Sequence, residues 1–149
     1  MVPEINLVPA VNYWAVLLAT ASSMVVGSIW YTPKVFGTRW ARLAHVDMNR
    51  PGASAVMPII ATVIVSFVTA WVLAGATTIA WGFYGGAYLL AALATGVILW
   101  AGFTAARFVT HDAFEGRPTS LTVLNIAHEL VTIVVMALII GVWPPAGTV

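Results

Sequence analysis

Four long apolar runs, separated by short polar segments, dominate this chain of 149 residues. They cover about residues 11–31, 55–77, 83–106 and 119–143. Each run is long enough for the helix of about 20 residues that crosses a hydrocarbon core of about 30 Å. Only 7% of the residues are charged, whereas a soluble domain carries about 25%. The runs therefore predict a single integral membrane domain over residues 1–149, folded as an all-α four-helix bundle.

The basic residues predict how this bundle lies in the membrane. All six fall in the two segments that follow the first and third runs, as Lys34, Arg39, Arg42, Arg50, Arg107 and Arg117. Segments rich in Lys and Arg stay on the cytoplasmic side of a membrane. With four crossings, we expect both basic segments in the cytoplasm and both termini on the non-cytoplasmic side.

The first of these segments has a helical pattern of its own. Phe36, Trp40 and Leu43 recur at helical spacing, while Arg39 and Arg42 point elsewhere. This pattern is typical of a short amphipathic helix lying in the membrane interface, with its cations near anionic headgroups. The alternative is an irregular loop whose aromatic residues cap the bundle.

Small residues at four-residue spacing predict where the helices pack. Helices in lipid associate through close approach of small residues and through polar contacts. In the first run these residues are Ala15, Ala19, Ser23 and Gly27, and in the third they are Gly82 and Gly86, followed by Ala92 and Gly96. Such seams join helices either within one chain or across an oligomer, and the sequence leaves both open.

The fourth run contains unusual polar chemistry in Asn125, His128 and Glu129. A charged carboxylate at the centre of a spanning helix costs about 2.5–3.5 kcal/mol on the insertion scale. We therefore expect Glu129 to face protein or water. Counting residues along the other runs places candidate partners at a similar depth, and these are Ser22, Ser23, Ser66 and Thr95.

This polar layer has two interpretations. It forms either a ligand, ion or proton site around Glu129 and His128, or a hydrogen-bonded knot that fixes helix register. No second carboxylate and no basic residue accompanies Glu129 within its run. That shortage of charged partners favours the structural knot.

Catalytic, metal and nucleic-acid functions have little support. The chain has no cysteine, and His128-Glu129 lacks a second histidine at the spacing of a zinc-protease helix, since Thr132 stands there. Neither a nucleophile elbow nor a glycine-rich phosphate loop is present. Six dispersed basic residues make no phosphate-binding stripe. We expect no catalytic residue, no metal, no cofactor and no nucleic-acid partner.

Two short elements, in a fixed order along the chain, indicate a family. They are Trp30-Tyr31-Thr32-Pro33 and Glu115-Gly116-Arg117-Pro118. Accompanying residues are Asn12 to Leu17, Gly27, Phe36, Gly37, Trp40, Trp100 to Phe103, Phe114, Asn125, His128 and Trp143. The chain resembles the domain-of-unknown-function 1761 family of small bacterial membrane proteins.

The resemblance implies a small four-helix protein of the bacterial cytoplasmic membrane, and it implies no activity. The recurrent residues lie on the predicted cytoplasmic face, and those we single out are Trp30, Tyr31, Pro33, Gly37, Trp40, Glu115, Gly116, Arg117 and Pro118. For this set we expect Pro33 to end the first helix and Gly37 and Gly116 to allow tight turns. Arg117 is expected to pair with Glu115 or with a lipid phosphate.

Two functional hypotheses follow. The leading one is a non-catalytic protein that acts by association, as an accessory or stabilising subunit of a larger membrane assembly, such as one for lipid transport, or as a homo-oligomer. Its partners would be membrane lipids and other membrane-protein subunits or further copies of itself. The second is a small transporter or proton-coupled carrier that uses Asn125, His128 and Glu129.

Overall fold

The fold is built from helices throughout the part of the chain that the computed structural model describes, residues 8–49 and 52–148. The elements are α1 (Tyr13–Trp30), α2 (Gly37–Ala44), a short 3₁₀ turn (Gly52–Ala55), α3 (Val56–Tyr84), α4 (Tyr88–Leu99), a π-helical segment (Trp100–Ala105), α5 (Ala106–Phe114) and α6 (Thr119–Val142). The predicted Arg50 of the first basic segment lies outside the described residues.

Four helical spans are long and apolar enough to cross a membrane. They are Tyr13–Trp30, Val56–Tyr84, Tyr88–Phe114 and Thr119–Val142, with 18, 29, 27 and 24 residues. The third is one continuous helix made of α4, the π-helical segment and α5. The prediction of an all-helical chain with four candidate membrane-spanning helices is therefore confirmed.

The four spans are arranged as a ring. α6 packs against α1 and α4, and α3 packs against the same two helices on the opposite side. Consequently α3 and α6 stand on one diagonal and make few contacts with each other. The core between the spans is formed by Val16, Ala19, Ala70, Leu73, Ala92, Met136, Ala137 and Ile140, together with their neighbours.

The turn between the second and third spans lies later than the predicted break at residues 78–82. α3 continues to Tyr84, and the chain turns at Gly85 and Gly86, whose φ angles are 72° and 80°. Only glycine adopts this left-handed region without steric cost. The indole N–H of Trp81 donates to the Gly86 carbonyl at 2.9 Å and closes the turn. The third span accordingly begins at Tyr88 rather than at residue 83.

This turn overturns the predicted packing of Gly82 with Gly86. Gly82 belongs to α3, Gly86 belongs to the turn, and both are exposed. A Cβ atom added to either glycine would meet no atom within 4 Å. The four-residue spacing was interrupted by the turn, so the two residues never share a helix face.

Other predicted packing residues are buried between helices. These are Ala15, Ala19 and Ser23 on α1 and Ala92 and Gly96 on α4. A Cβ at Gly96 would lie 3.4 Å from the Ala137 Cβ of α6. A closer approach between α6 and α4 occurs at Gly141, which was not among the predicted packing residues. A Cβ atom at Gly141 would lie 2.9 Å from the Cα atom of Leu89.

The third span also ends later than predicted, at Phe114 instead of residue 106. The turn that follows is made by Gly116 at a φ of 68°. The Arg117 amide donates back to the Asp112 carbonyl at 2.9 Å. Apolar character marks where a helix leaves lipid, whereas the helix itself continues until such a turn stops it.

Candidate ligand-binding groove

A groove of about 620 Å³ lies between α1, α3 and α6. Its polar lining consists of Ser23, Ser28, Tyr31, Thr62, Ser66, Thr69, His128, Glu129 and Thr132. Its apolar lining consists of Met24, Gly27, Ile59, Ala61, Val65 and Met136. Small-molecule sites in proteins usually have volumes of about 300–1,000 Å³, so this groove has the dimensions of a ligand site.

The groove exists because the first part of α3 stands away from the bundle. Residues 56–65 of this helix are all exposed, and its first buried residue is Ser66. Since α3 and α6 are diagonal neighbours with few contacts, the space between them is closed only where α3 reaches the core at Ala70 and Leu73.

Glu129 is the charged residue of the groove lining. It stands about 15 Å along α6 from Thr119, at the 1.5 Å rise of an α-helix, which is near the middle of that span. Its side chain is 40% exposed, and its Oε1 atom lies 3.3 Å from the Nδ1 atom of His128. Among the described residues, no group on α1 or α3 forms a hydrogen bond with it. Glu129 therefore does not tie α6 to its neighbours.

His128 is covered by aromatic residues from the end of α1. Its ring centroid lies 5.0 Å from that of Tyr31 and 5.8 Å from that of Trp30. Phe36 and Trp40 lie behind these two rings. The ring centroid of Phe36 is 4.4 Å from that of Trp30, and the ring centroid of Trp40 is 5.1 Å from that of Tyr31. The tryptophan–tyrosine element of the first polar segment thus packs on the polar residues of the fourth span.

A tight turn between α1 and α2 holds these aromatic residues in place. The Thr32 carbonyl accepts hydrogen bonds from the amides of Val35 at 3.1 Å and Gly37 at 2.8 Å. The Phe36 amide donates to the Trp30 carbonyl at 3.0 Å. A side chain at position 37 would collide with the Tyr31 carbonyl oxygen. Gly37 is needed for close approach of backbone, and Pro33 lies within the turn after α1 has ended.

Three buried polar atoms near the groove have no hydrogen-bond partner among the described residues. They are the His128 Nε2, the Trp30 Nε1 and the Thr132 Oγ1 atoms. His128 and Thr132 line the groove, whereas Trp30 does not. More than nine in ten buried polar groups in proteins are hydrogen-bonded, so these atoms are exceptions, and each is covered by neighbouring atoms rather than open to the groove.

Tyr31 adds a hydroxyl group at the mouth of the groove, just after the first span. Burial, and secondarily the negative charge of Glu129, raises the pKa of Tyr31 to about 12. The phenol therefore remains protonated at neutral pH and is available as a hydrogen-bond donor.

The groove unites only part of the predicted polar cluster. Ser23, Ser66, His128 and Glu129 line it, whereas Ser22, Thr95 and Asn125 do not. The Ser22 hydroxyl donates to the Ala19 carbonyl of its own helix at 2.7 Å. Thr95 lines a different cavity, of about 340 Å³, beside the end of α3. Residue counting gives depth in the membrane, but it does not tell on which side of the ring a residue lies.

Gly27 and Tyr31 are groove residues that the polar-cluster prediction missed. A Cβ at Gly27 would lie 3.7 Å from the His128 Nε2 atom. A signal for both was present, because Ser23, Gly27 and Tyr31 continue the same four-residue spacing along one face of α1.

A second polar cluster joins α5 to α6. The Arg117 Nε atom donates to Glu115 Oε2 at 2.6 Å and lies 3.8 Å from Asp112 Oδ1. Asp112 is buried and accepts a hydrogen bond of 2.7 Å from the Thr122 hydroxyl. The Glu115-Gly116-Arg117-Pro118 element is therefore a structural clasp at the turn, and it lies apart from the groove lining.

Comparison with known proteins agrees with these motifs. A family model described as "Protein of unknown function (DUF1761)" matches residues 14–141. The chain belongs to the DUF1761 family. The match covers both motif elements and every residue of the groove lining. No curated protein and no solved structure matches the chain.

Proposed function

We propose that this DUF1761 protein is a non-catalytic membrane protein that binds a small amphipathic molecule in the groove between α1, α3 and α6. This proposal rests on the surroundings of Glu129. Its carboxylate lies within a candidate membrane span, lines an open groove and has no partner on a neighbouring helix among the described residues. A residue that fixed helix register would instead bond across helices. Intramembrane ionisable groups that face a cavity are functional candidates by default.

A binding role fits the hydroxyl groups of the groove better than a catalytic role. The Ser23 hydroxyl donates to the Thr20 carbonyl at 2.7 Å, and the Thr62 hydroxyl donates to the Pro58 carbonyl at 2.8 Å. A nucleophilic hydroxyl must instead be bonded to a general base. These hydroxyl groups offer a ligand their free lone pairs.

The proposed setting is the bacterial cytoplasmic membrane, with the groove on the cytoplasmic half. Lys34, Arg39 and Arg42 are exposed around α2, while Gly37 and Ala41 on the same short helix are buried. An amphipathic helix of this kind lies in the interface, with its cations toward lipid headgroups. Arg107, in the last part of the third span, and Arg117, just after it, lie toward the same end of the bundle, which the positive-inside rule assigns to the cytoplasm.

Cysteine labelling tests whether the groove admits water-soluble molecules, because the chain has no cysteine of its own. Thr62 lines the groove, while Ile64, at nearly the same depth on α3, does not line it and is 59% exposed. We expect a charged methanethiosulfonate to label a Thr62→Cys variant faster than an Ile64→Cys variant by about tenfold or more, because only the thiolate reacts. Equal rates would contradict a water-accessible ligand site.

The same reagent tests the orientation. A Thr38→Cys variant carries its thiol on the exposed side of α2. An impermeant reagent should label it in inside-out vesicles and leave it unlabelled in intact cells. Labelling in intact cells would place this end of the bundle outside the cytoplasm.

Association with another membrane protein is the second candidate, and one observation favours it. The ten residues 56–65 of α3 are exposed, and only Ile59, Ala61, Thr62 and Val65 among them line the groove. The rest of this surface is available to a helix of an accessory assembly or of a second copy. Purification in a mild detergent at native expression tests this candidate. Co-purification of a stoichiometric membrane chain would support it, and recovery of a lone monomer would count against it.

A further inference from the structure

The charges around the groove define which ligands it accepts. Glu129 brings a carboxylate, and neither lysine nor arginine is found among the described residues of the lining. His128, whose Nδ1 atom lies 3.3 Å from Glu129 Oε1, is the one described side chain within hydrogen-bond distance of this carboxylate. We infer that the groove binds a monovalent lipophilic cation, an amine or quaternary onium compound with an apolar body, which pairs with Glu129. This inference rests on the proposed ligand-binding function.

Glu129 has the capacity to accept such a partner. The 3.3 Å contact with His128 is long for a charge-assisted hydrogen bond, which is usually about 2.7–2.9 Å. The Glu129 side chain is 40% exposed and lines the groove, and its Oε2 atom forms no hydrogen bond with another described residue. At the lower effective dielectric of a protein groove, a cation gains more from a carboxylate than it does in bulk water.

The walls suit an apolar body with a positive centre. Met24 and Met136 provide flexible, polarisable side chains that adapt to different shapes. Tyr31 presents an aromatic ring within the same lining, and aromatic faces attract cations.

Binding of tetraphenylphosphonium to the full-length protein in detergent tests this inference. Tetraphenylsilane is a neutral compound with the same tetrahedral arrangement of phenyl rings. We expect the wild-type protein to bind the cation about tenfold more tightly than the neutral compound, the factor that corresponds to about 1.4 kcal/mol.

Variants separate Glu129 from other acids. Glu129→Gln should lower the affinity for tetraphenylphosphonium at least to that for the neutral compound, and Glu129→Asp should retain a preference for the cation. Glu115→Gln is the matched control, since Glu115 is exposed and lies outside the groove, and it should bind as the wild type does. If Glu129→Gln does not fold, the preference of the wild type for the cation over the neutral compound still decides.

Different experimental results would overturn the inference about cations and the proposed ligand-binding function. Equal affinity for both compounds, or unchanged cation binding by folded Glu129→Gln, would overturn the inference and leave a groove that binds neutral amphiphiles. Binding of neither compound, together with equal labelling of Thr62→Cys and Ile64→Cys, would overturn the proposed function as well.

Discussion

The two ends of this helical bundle use polar side chains in opposite ways. At the closed end, where α1 begins and α6 ends, Asn12 accepts hydrogen bonds from the amides of Trp14 and Ala15 at 3.0 and 3.3 Å. The Asn12 amide group also donates to the Trp143 carbonyl at 3.3 Å. The Thr78 Oγ1 atom lies 2.7 Å from the Ala10 carbonyl oxygen. Polar groups here connect one helix end to another.

At the open end, where α1 ends and α6 begins, the clasp between Asp112 and Thr122 connects two helices, but the polar residues of the groove make few such connections. Glu129 bonds only to its neighbour His128 among the described residues. The His128 Nε2 and Thr132 Oγ1 atoms are buried and have no partner among those residues. The comparison shows that hydrogen bonds between helix ends hold the closed end, whereas the groove lining lacks them, and it predicts that substitutions in these two regions will have different effects.

The largest expected effect belongs to the closed end. A Gly141→Ala substitution would place a Cβ atom 2.9 Å from the Leu89 Cα and 3.1 Å from the Ala92 Cβ. Because backbone must move to relieve this contact, we expect the free energy of unfolding to fall by about 3 kcal/mol. Denaturation in mixed detergent micelles measures this change.

Gly82→Ala is the matched control for that prediction. Gly82 is also a helical glycine, but an added Cβ would meet no atom within 4 Å. We expect this variant to be as stable as the wild type or to gain about 0.5–1 kcal/mol, because alanine favours the helix. Equal stabilities for the two variants would show that α6 and α4 do not approach each other as closely as described.

A smaller effect is expected from Asn12→Ala at the same end. This variant removes the cap of α1 and the contacts with Trp143 and Pro144. Loss of an N-cap costs about 1 kcal/mol, and we expect the free energy of unfolding to fall by at least that amount. Asn125→Ala is the control, since Asn125 makes no side-chain hydrogen bond with another described residue. If both variants lose the same stability, Asn12 does not connect α1 to α6.

The smallest expected effect has the opposite sign and belongs to the open end. Thr132→Val replaces a buried, unpaired hydroxyl with a methyl group of similar shape. We expect the ligand-free protein to gain about 1 kcal/mol in free energy of unfolding, because an unsatisfied buried group is removed. The same variant should leave tetraphenylphosphonium binding unchanged, because this hydroxyl is covered and the cation has no hydrogen-bonding group.

Thr77 provides a second test of the same effect. It is 0% exposed, its hydroxyl is likewise unpaired among the described residues, and it lies on α3 toward the closed end. Thr77→Val should therefore gain similar stability. A loss of stability in both variants would mean that these hydroxyl groups are hydrogen-bonded in the folded protein.

The spans could be predicted from sequence where the limits of an apolar run coincide with prolines that begin or end a helix. α6 begins at Thr119 after Pro118 and ends at Val142 before two prolines, close to the predicted residues 119–143. The break between α3 and α4 was misplaced because Thr77 and Thr78 interrupt the apolar run without ending the helix. The Thr78 hydroxyl is accommodated by Ala10 and by Tyr88 at 3.0 Å. Those partners are distant in sequence and therefore invisible in the local pattern.

The candidate site was only partly predictable for a related reason. The polar character of His128 and Glu129 within an apolar run is a local property, and it identified the centre of the groove. Their aromatic cover depends on the packing of α1 against α6, which places Trp30 and Tyr31 on His128. Such long-range contacts are decided by tertiary packing, whereas single-sequence patterns report on one helix at a time.

The π-helical segment at Trp100–Ala105 has a consequence for the length of the chain. A π-helical turn holds one more residue than an α-helical turn and occurs in the middle of otherwise regular helices. Deleting one residue there would convert the segment to a regular α-helical turn and would leave the residues that follow in nearly their present orientation. Deleting a residue from α5 before Asp112 would instead rotate Asp112 by about 100° and turn it away from Thr122, its partner across the clasp. Natural variants whose third span is one residue shorter should therefore lack a residue of the π-helical segment rather than a residue of α5.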